Sequence, residues 1–203
     1  MFVVFTKTLK TFKNTTFAIE HSCMKEKKLL GAEEVQLILQ RLACQLIESH
    51  QQFKNAVLIG LQPRGIFLAN RLLHILQTDY QLADIKLGKL DITFYRDDFR
   101  RSQKILKANQ TDINFVVEDK NVVIIDDVLF TGRSIRAALT GIQSFGRPKN
   151  VELLTFIDRR FSRHLPIQPD YNGKQVDVIN NQRVEVKWKE QHGEDAVYIS
   201  QSE

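Results

Sequence analysis

A chain of 203 residues, 43% of them hydrophobic, is long enough to bury one self-supporting core without disulfide staples. Its two cysteines, Cys23 and Cys44, are too few for a disulfide framework and match no zinc-ligand spacing, so a reduced, cytoplasmic setting is expected. No apolar run approaches the roughly 20 residues that cross a bilayer, so no membrane partner is expected, and the net charge of +5 favours anionic partners without naming one.

The opening Met1-Phe-Val-Val-Phe5 is apolar, with no basic segment before it and no clean cleavage site after it. Residues 1–24 are therefore read as a poorly ordered N-terminal extension, and residues 25–203 as the single folded domain. Met24, followed by Lys25-Glu-Lys-Lys28 and a helix, offers an alternative start. Val35, Ile38, Leu39, Leu42 and Leu46 then form one apolar stripe of an amphipathic helix. Ala56-Val-Leu-Ile-Gly60 has strand length, Gln62-Pro63-Arg64-Gly65 reads as a turn, and Ile66, Ala69, Leu72, Leu73 and Leu76 resume helical spacing up to Gln77. Residues 90–95, rich in β formers and alternating, predict a strand. Residues 96–118 are polar, basic and aperiodic, and a loop of that length inside a domain suggests a functional lid.

Val122-Val-Ile-Ile125 is fully apolar, as expected of a central parallel strand buried on both faces. Ile135, Ala138, Leu139 and Ile142 return to helical spacing, Gly146-Arg-Pro148 stops that helix, and residues 151–157 supply another strand. Near the end, residues 183–188 alternate strictly and residues 196–199 form a short strand. The order predicts an α/β fold: a parallel sheet flanked by helices, with a small C-terminal β-rich hood.

The chemistry concentrates between Asn121 and Ser134. A buried strand carries Asp126 and Asp127 to its carboxyl end, the edge where open α/β sheets bind ligands. Residues 128–132, ending in Thr131-Gly132, lead straight into a helix whose free N–H groups suit a phosphate. Gly132 permits close backbone approach, and Thr131 and Ser134 can add hydroxyl donors. The paired carboxylates can accept hydrogen bonds from the vicinal hydroxyls of a ribose and hold a sugar that carries Mg²⁺. An Asp-Asp pair alone also occurs in receiver domains and nucleotide hydrolases; Gly-x-x-x-x-Gly-Lys-Ser/Thr and Gly-x-Gly-x-x-Gly loops are absent.

This block resembles the phosphoribosyl pyrophosphate (PRPP) motif of type I phosphoribosyltransferases. The segments Ile59-Gly-Leu-Gln-Pro-Arg-Gly-Ile-Phe-Leu-Ala69, Leu90-Asp-Ile-Thr-Phe-Tyr-Arg-Asp-Asp98, Gly146-Arg-Pro148 leading to Ile157-Asp-Arg159, and Leu165-Pro-Ile167 before Asp170-Tyr171 resemble a narrower family. That family comprises pyrimidine-operon attenuation regulators that double as uracil phosphoribosyltransferases, and the likeness covers roughly residues 27–199. The resemblance implies formation of UMP and pyrophosphate from uracil and PRPP, with Mg²⁺ bound mainly through PRPP and no dedicated protein metal site. Asp126, Asp127 and Arg96 would be catalytic, and Leu129, Phe130, Thr131, Gly132, Arg133 and Ser134 would hold the phosphate. Gln62, Arg64 and Gly65 would form the pyrophosphate loop, and Tyr95, Arg100 and Arg101, with Lys104, the flexible loop. A solvated basic face accounts for Arg100, Arg101 and Lys104 almost as well.

The resemblance also implies a UMP- or UTP-responsive contact with pyrimidine-operon mRNA, and a homo-oligomer. Arg147, Arg163 and Lys174 are the basic candidates for RNA. The chain departs from the family at Gln40 and Cys44, where Thr and His are usual, at Gln168, where Arg is frequent, and in the longer Arg159-Arg-Phe-Ser-Arg163. An RNA-binding regulator with little catalysis, or a transferase for another base, are the alternatives.

Overall fold

The structure, a computed structural model, describes residues 26–96, 109–178 and 182–201. The expected extension, and Arg100, Arg101 and Lys104, lie outside the described residues. In chain order the elements are β1 (Lys27–Leu30), α1 (Ala32–His50), β2 (Ala56–Gln62), α2 (Gly65–Thr78), β3 (Lys86–Asp91), a 3₁₀ turn (Thr93–Tyr95), β4 (Asn121–Leu129), α3 (Arg133–Ile142), β5 (Asn150–Arg160), β6 (Tyr171–Asp177), β7 (Gln182–Lys187), α4 (Lys189–His192) and β8 (Ala196–Gln201).

Five strands form a parallel sheet in the order β3-β2-β4-β5-β6. Because side chains alternate across a strand, Leu58, Val123 and Ile125 face α1 and α2, while Val57, Ile59, Leu61, Val122 and Ile124 face α3. Burial on both faces explains the unbroken apolar runs of β2 and β4. α1 starts where the Glu34 carboxylate accepts the Gly31 N–H at 2.8 Å, and its stripe of Val35, Leu39, Leu42 and Leu46 is buried. From β2 the chain passes to β3 on one side and to β4 on the other. The crevice beyond the carboxyl ends of β2 and β4 is thus a switch point of the sheet, where α/β folds bind ligands.

Four expectations need correction. The strand over residues 90–95 ends at Asp91, whose Oδ1 accepts the Thr93 N–H at 2.8 Å and the Thr93 hydroxyl at 2.5 Å, turning the chain into the 3₁₀ turn. From Asn109 onward the long basic segment is no lid: Asp112 bridges β3 through Lys89 at 2.8 Å in both directions, and Val117 is buried. β4 continues to Leu129, so Asp126 and Asp127 sit within its last turn of pairing and the following loop is shorter than expected. β1 and β6 were not anticipated, being short or polar.

The hood is a separate antiparallel sheet, β1-β8-β7, built from both ends of the described chain. Trp188 fastens it: its ring packs 5.2 Å from Phe156 and lies beneath the Arg71 guanidinium at 4.9 Å. Arg71 also donates to both Glu190 oxygens at 2.9 and 2.8 Å and to Asp195 at 2.6 Å. Arg71→Ala removes the stack and three charge-assisted hydrogen bonds, so urea titration should show a loss of about 2–3 kcal/mol.

Candidate active site

Two strand ends bring the site together. β2 runs into a cis Gln62–Pro63 peptide and then Arg64, which precedes α2. Gly65 lies flat against β4: a Cβ there would stand 2.4 Å from the Ile125 carbonyl oxygen. That contact sets Arg64 beside the two acids at the end of β4. Gln62 donates its Nε2 hydrogen to the Gln110 carbonyl at 3.0 Å, tying the turn to the segment that follows the undescribed residues.

Asp126 and Asp127 each fold back on the main chain. Asp126 Oδ1 accepts the Asp127 N–H at 3.0 Å and Asp127 Oδ1 accepts the Val128 N–H at 2.8 Å. Asp127 is 5% exposed, and its Oδ2 finds no hydrogen-bond partner among the described residues. Asp126 opens partly on the cleft yet is closely packed. Desolvation, and then repulsion from Asp127, raises its carboxyl well above the usual range, and Arg64 opposes this. Asp127 is likewise raised by desolvation against the pull of Arg64. Two crowded carboxylates with a free acceptor are prepared for hydroxyl donors, a cation, or both.

Beyond them the chain turns through Phe130, Thr131 and Gly132, which adopts φ 87° as the cap of α3. The first N–H groups of a helix have no partner within it, and here they border a recess of about 200 Å³ lined by Arg96, Asp126 and residues 128–135. Arg96 donates Nη1–H to the Ser134 hydroxyl at 3.2 Å. The recess joins a cleft of about 590 Å³ that holds Gln62, Arg64, Thr93, Arg96, Asp126, Asp127, Phe130 and Ser134. A cradle for an anion, an acceptor pair and cations on the opposing turn can hold a phosphorylated sugar with a charged leaving group.

Not every expected residue lies there in the expected way. The Leu129 side chain is core, 1% exposed, so only its backbone belongs to the loop. Tyr95 lies on the 3₁₀ turn with its ring against Gly141 of α3, away from the cleft lining. Arg147 is near the amino end of β5, where its N–H meets Glu118 at 2.6 Å, whereas Lys174 pairs with Ile157 toward the other end. The two are separated by several residues of β5, so they form no common patch. Arg163 turns its guanidinium inward. Gln40 is exposed on α1, and Cys44 Sγ lies 2.9 Å from the Tyr80 hydroxyl.

The cleft also contains a residue to which the sequence assigned no role in the site. Arg159, quoted above only within a family segment, belongs to β5, is 7% exposed, and lies 3.9 Å over the Phe130 ring. Its Nη2–H reaches the Gln182 carbonyl at 2.9 Å, so it joins the main sheet to the hood residues Gln182, Arg183 and Val184. The length of the apolar run before Arg159 was the available signal.

Fold and site together define a phosphoribosyltransferase. The model of the phosphoribosyl transferase domain matches residues 27–191. Among solved structures, a hypoxanthine phosphoribosyltransferase from Staphylococcus aureus superposes with a TM-score of 0.63 at 22% identity, covering 92% of this chain and 97% of that one. That of Trypanosoma cruzi gives 0.65 at 17% identity, covering 88% and 98%. At such identities these share the fold alone. Closer in sequence is the Bifunctional protein PyrR of Elusimicrobium minutum, 40% identical over 176 residues, 86% of this chain and 96% of that protein. The protein of the same name from Chloroflexus aurantiacus is 40% identical over 174 residues, 86% and 94% of the two chains. The chain belongs to the PyrR family of type I phosphoribosyltransferases.

Proposed function

We propose that the protein makes UMP and pyrophosphate from uracil and PRPP, and that the same pocket, filled by UMP or UTP, governs binding to pyrimidine-operon leader mRNA. The observation that carries the enzymatic reading is the pair Asp126 and Asp127 set between Arg64 and the N-terminus of α3. Thr131, Gly132, Arg133 and Ser134 would bind the 5-phosphate, and the two carboxylates would accept the ribose hydroxyls. Uracil N1 would attack the anomeric carbon as the bond to pyrophosphate breaks, and the N1 proton would pass to the departing pyrophosphate or to water. Carboxylates beneath the ribose favour an oxocarbenium-like centre, while Arg64 and Arg96 meet the charge on the leaving group. The unpartnered Asp127 Oδ2 fits an ion delivered with PRPP, so Asp126 and Asp127 would hold Mg²⁺ from the sugar side. When bound, Mg²⁺ neutralises the pyrophosphate. The base would lie toward Arg159 and the hood edge at residues 182–184.

The regulatory half rests on the kinship with proteins named bifunctional, and a cytoplasmic homo-oligomer is part of the same reading. Pyrophosphate release should require both uracil and Mg²⁺ and should fall to background with hypoxanthine or orotate in place of uracil. Turnover with a purine instead would replace the substrate assigned here. A gel shift of leader RNA that strengthens with UMP is expected, and its absence would leave only the transferase.

A further inference from the structure

The loop 161–169 was expected to offer Arg163 to RNA, but its geometry points elsewhere. β5 ends at Arg160, and Phe161, at φ 62°, reverses the chain so that Arg163 runs back beneath the end of β4. Its guanidinium gathers five acceptors. Nη1 donates to the carbonyls of Leu129 at 3.2 Å, of Phe130, and of Arg159 at 3.1 Å; Nε donates to the Ile167 carbonyl at 3.0 Å; Nη2 pairs with the Asp158 carboxylate. Asp158 is 5% exposed, so the ion pair anchors the guanidinium from the sheet side.

Leu129 and Phe130 immediately precede Thr131-Gly132. One residue further, the Thr131 carbonyl accepts the His164 N–H at 3.1 Å. Three successive carbonyls of the phosphate loop are therefore held from one side by residues 163 and 164. Beneath the turn, the Ile167 side chain comes within 3.1 Å of where a Cβ on Gly132 would stand. In a trans peptide the N–H points opposite to the C=O of the same unit. Holding the Phe130 and Thr131 carbonyls thus fixes the directions of the Thr131 and Gly132 N–H groups, which belong to the recess lining. A cation on the carbonyl side also polarises those units and strengthens their donors toward an anion.

Resting on the transferase reading above, we infer that Arg163 is the positioning residue of the phosphate loop, orienting its N–H groups for PRPP from behind. Asp158 holds it in place. The test is PRPP titration by calorimetry, with steady-state kinetics, on the wild type and on Arg163→Gln, Arg163→Lys and Asp158→Asn. Arg163→Gln should weaken PRPP binding and raise its KM roughly 10- to 100-fold, with the KM for uracil within about two-fold. Arg163→Lys, which keeps the charge but cannot fork, should fall between. Should Arg163→Gln fail to fold, the Lys and Asp158→Asn variants carry the same expectation. PRPP affinity unchanged in folded variants overturns the inference, as does loss of leader-RNA binding with PRPP affinity intact. A wild type that binds no PRPP overturns the transferase reading, and this inference with it.

Discussion

Asp126→Asn combined with Asp127→Asn is expected to abolish transfer, lowering kcat/KM by about 10³-fold or more, because both groups that would grip the ribose and face the positive transition state are neutralised. Asp126→Asn alone should also make the unliganded protein harder to melt at neutral pH. Desolvation and its neighbour raise the Asp126 carboxyl when the chain is folded. Below the ordinary range near 3.9, folded and unfolded chains both hold the proton and the group is neutral to stability. As pH rises past that point the unfolded chain releases its proton first, and stability declines until the folded carboxyl ionises too. The Asn variant escapes this decline. Its gain in melting temperature should be absent in acid and grow as pH rises past the ordinary carboxylate range, levelling off once the folded carboxyl ionises; an equal gain at every pH would contradict the assignment.

Gly65→Ala should be nearly as damaging for a steric reason. The new methyl would sit 2.4 Å from the Ile125 carbonyl and 2.9 Å from the Asp126 Cα, both backbone atoms that cannot rotate away. The turn carrying Arg64 must lift from β4, at about 2–3 kcal/mol in stability. The displacement falls between Arg64 and the acids, where, on the proposed reading, misplacement by an ångström costs about 100-fold in rate. Gly193→Ala is the fitting control. Its φ is positive, at 77°, but no atom lies within 4 Å of the added carbon, so modest strain and full activity are expected. Chemical denaturation and single-turnover rates on both variants give the comparison.

What could be read in advance follows from where local pattern and tertiary environment agree. β2 and β4 are buried on both faces, so their apolar runs were unambiguous, and the return to helical spacing at Ile135 framed the phosphate loop between them. Residues 90–95 misled because alternation continues into a 3₁₀ turn; only the hydrogen bonds of Asp91 reveal the break. β6 reads Tyr-Asn-Gly-Lys-Gln-Val-Asp, a polar edge strand with a glycine, and its strand character comes from pairing with β5. Arg159 and Gln182 meet in the cleft although 23 positions separate them, and no local spacing encodes that approach. For Arg163, charge suggested a surface partner, whereas the turn at Phe161 sends it into the protein.

The hood's construction bears on how the protein comes into being. β1 finds its strand partner in β8, with Lys27 opposite Ile199, so the whole of the main sheet lies between the two in the chain. During synthesis β1 must wait, unmatched, until the ribosome has made the main sheet and reached β8. The phosphate loop and its acids are translated and can dock long before then. A nascent chain could thus assemble the Asp126 and Asp127 end of the cleft before the hood edge at residues 182–184 has its full sheet behind it.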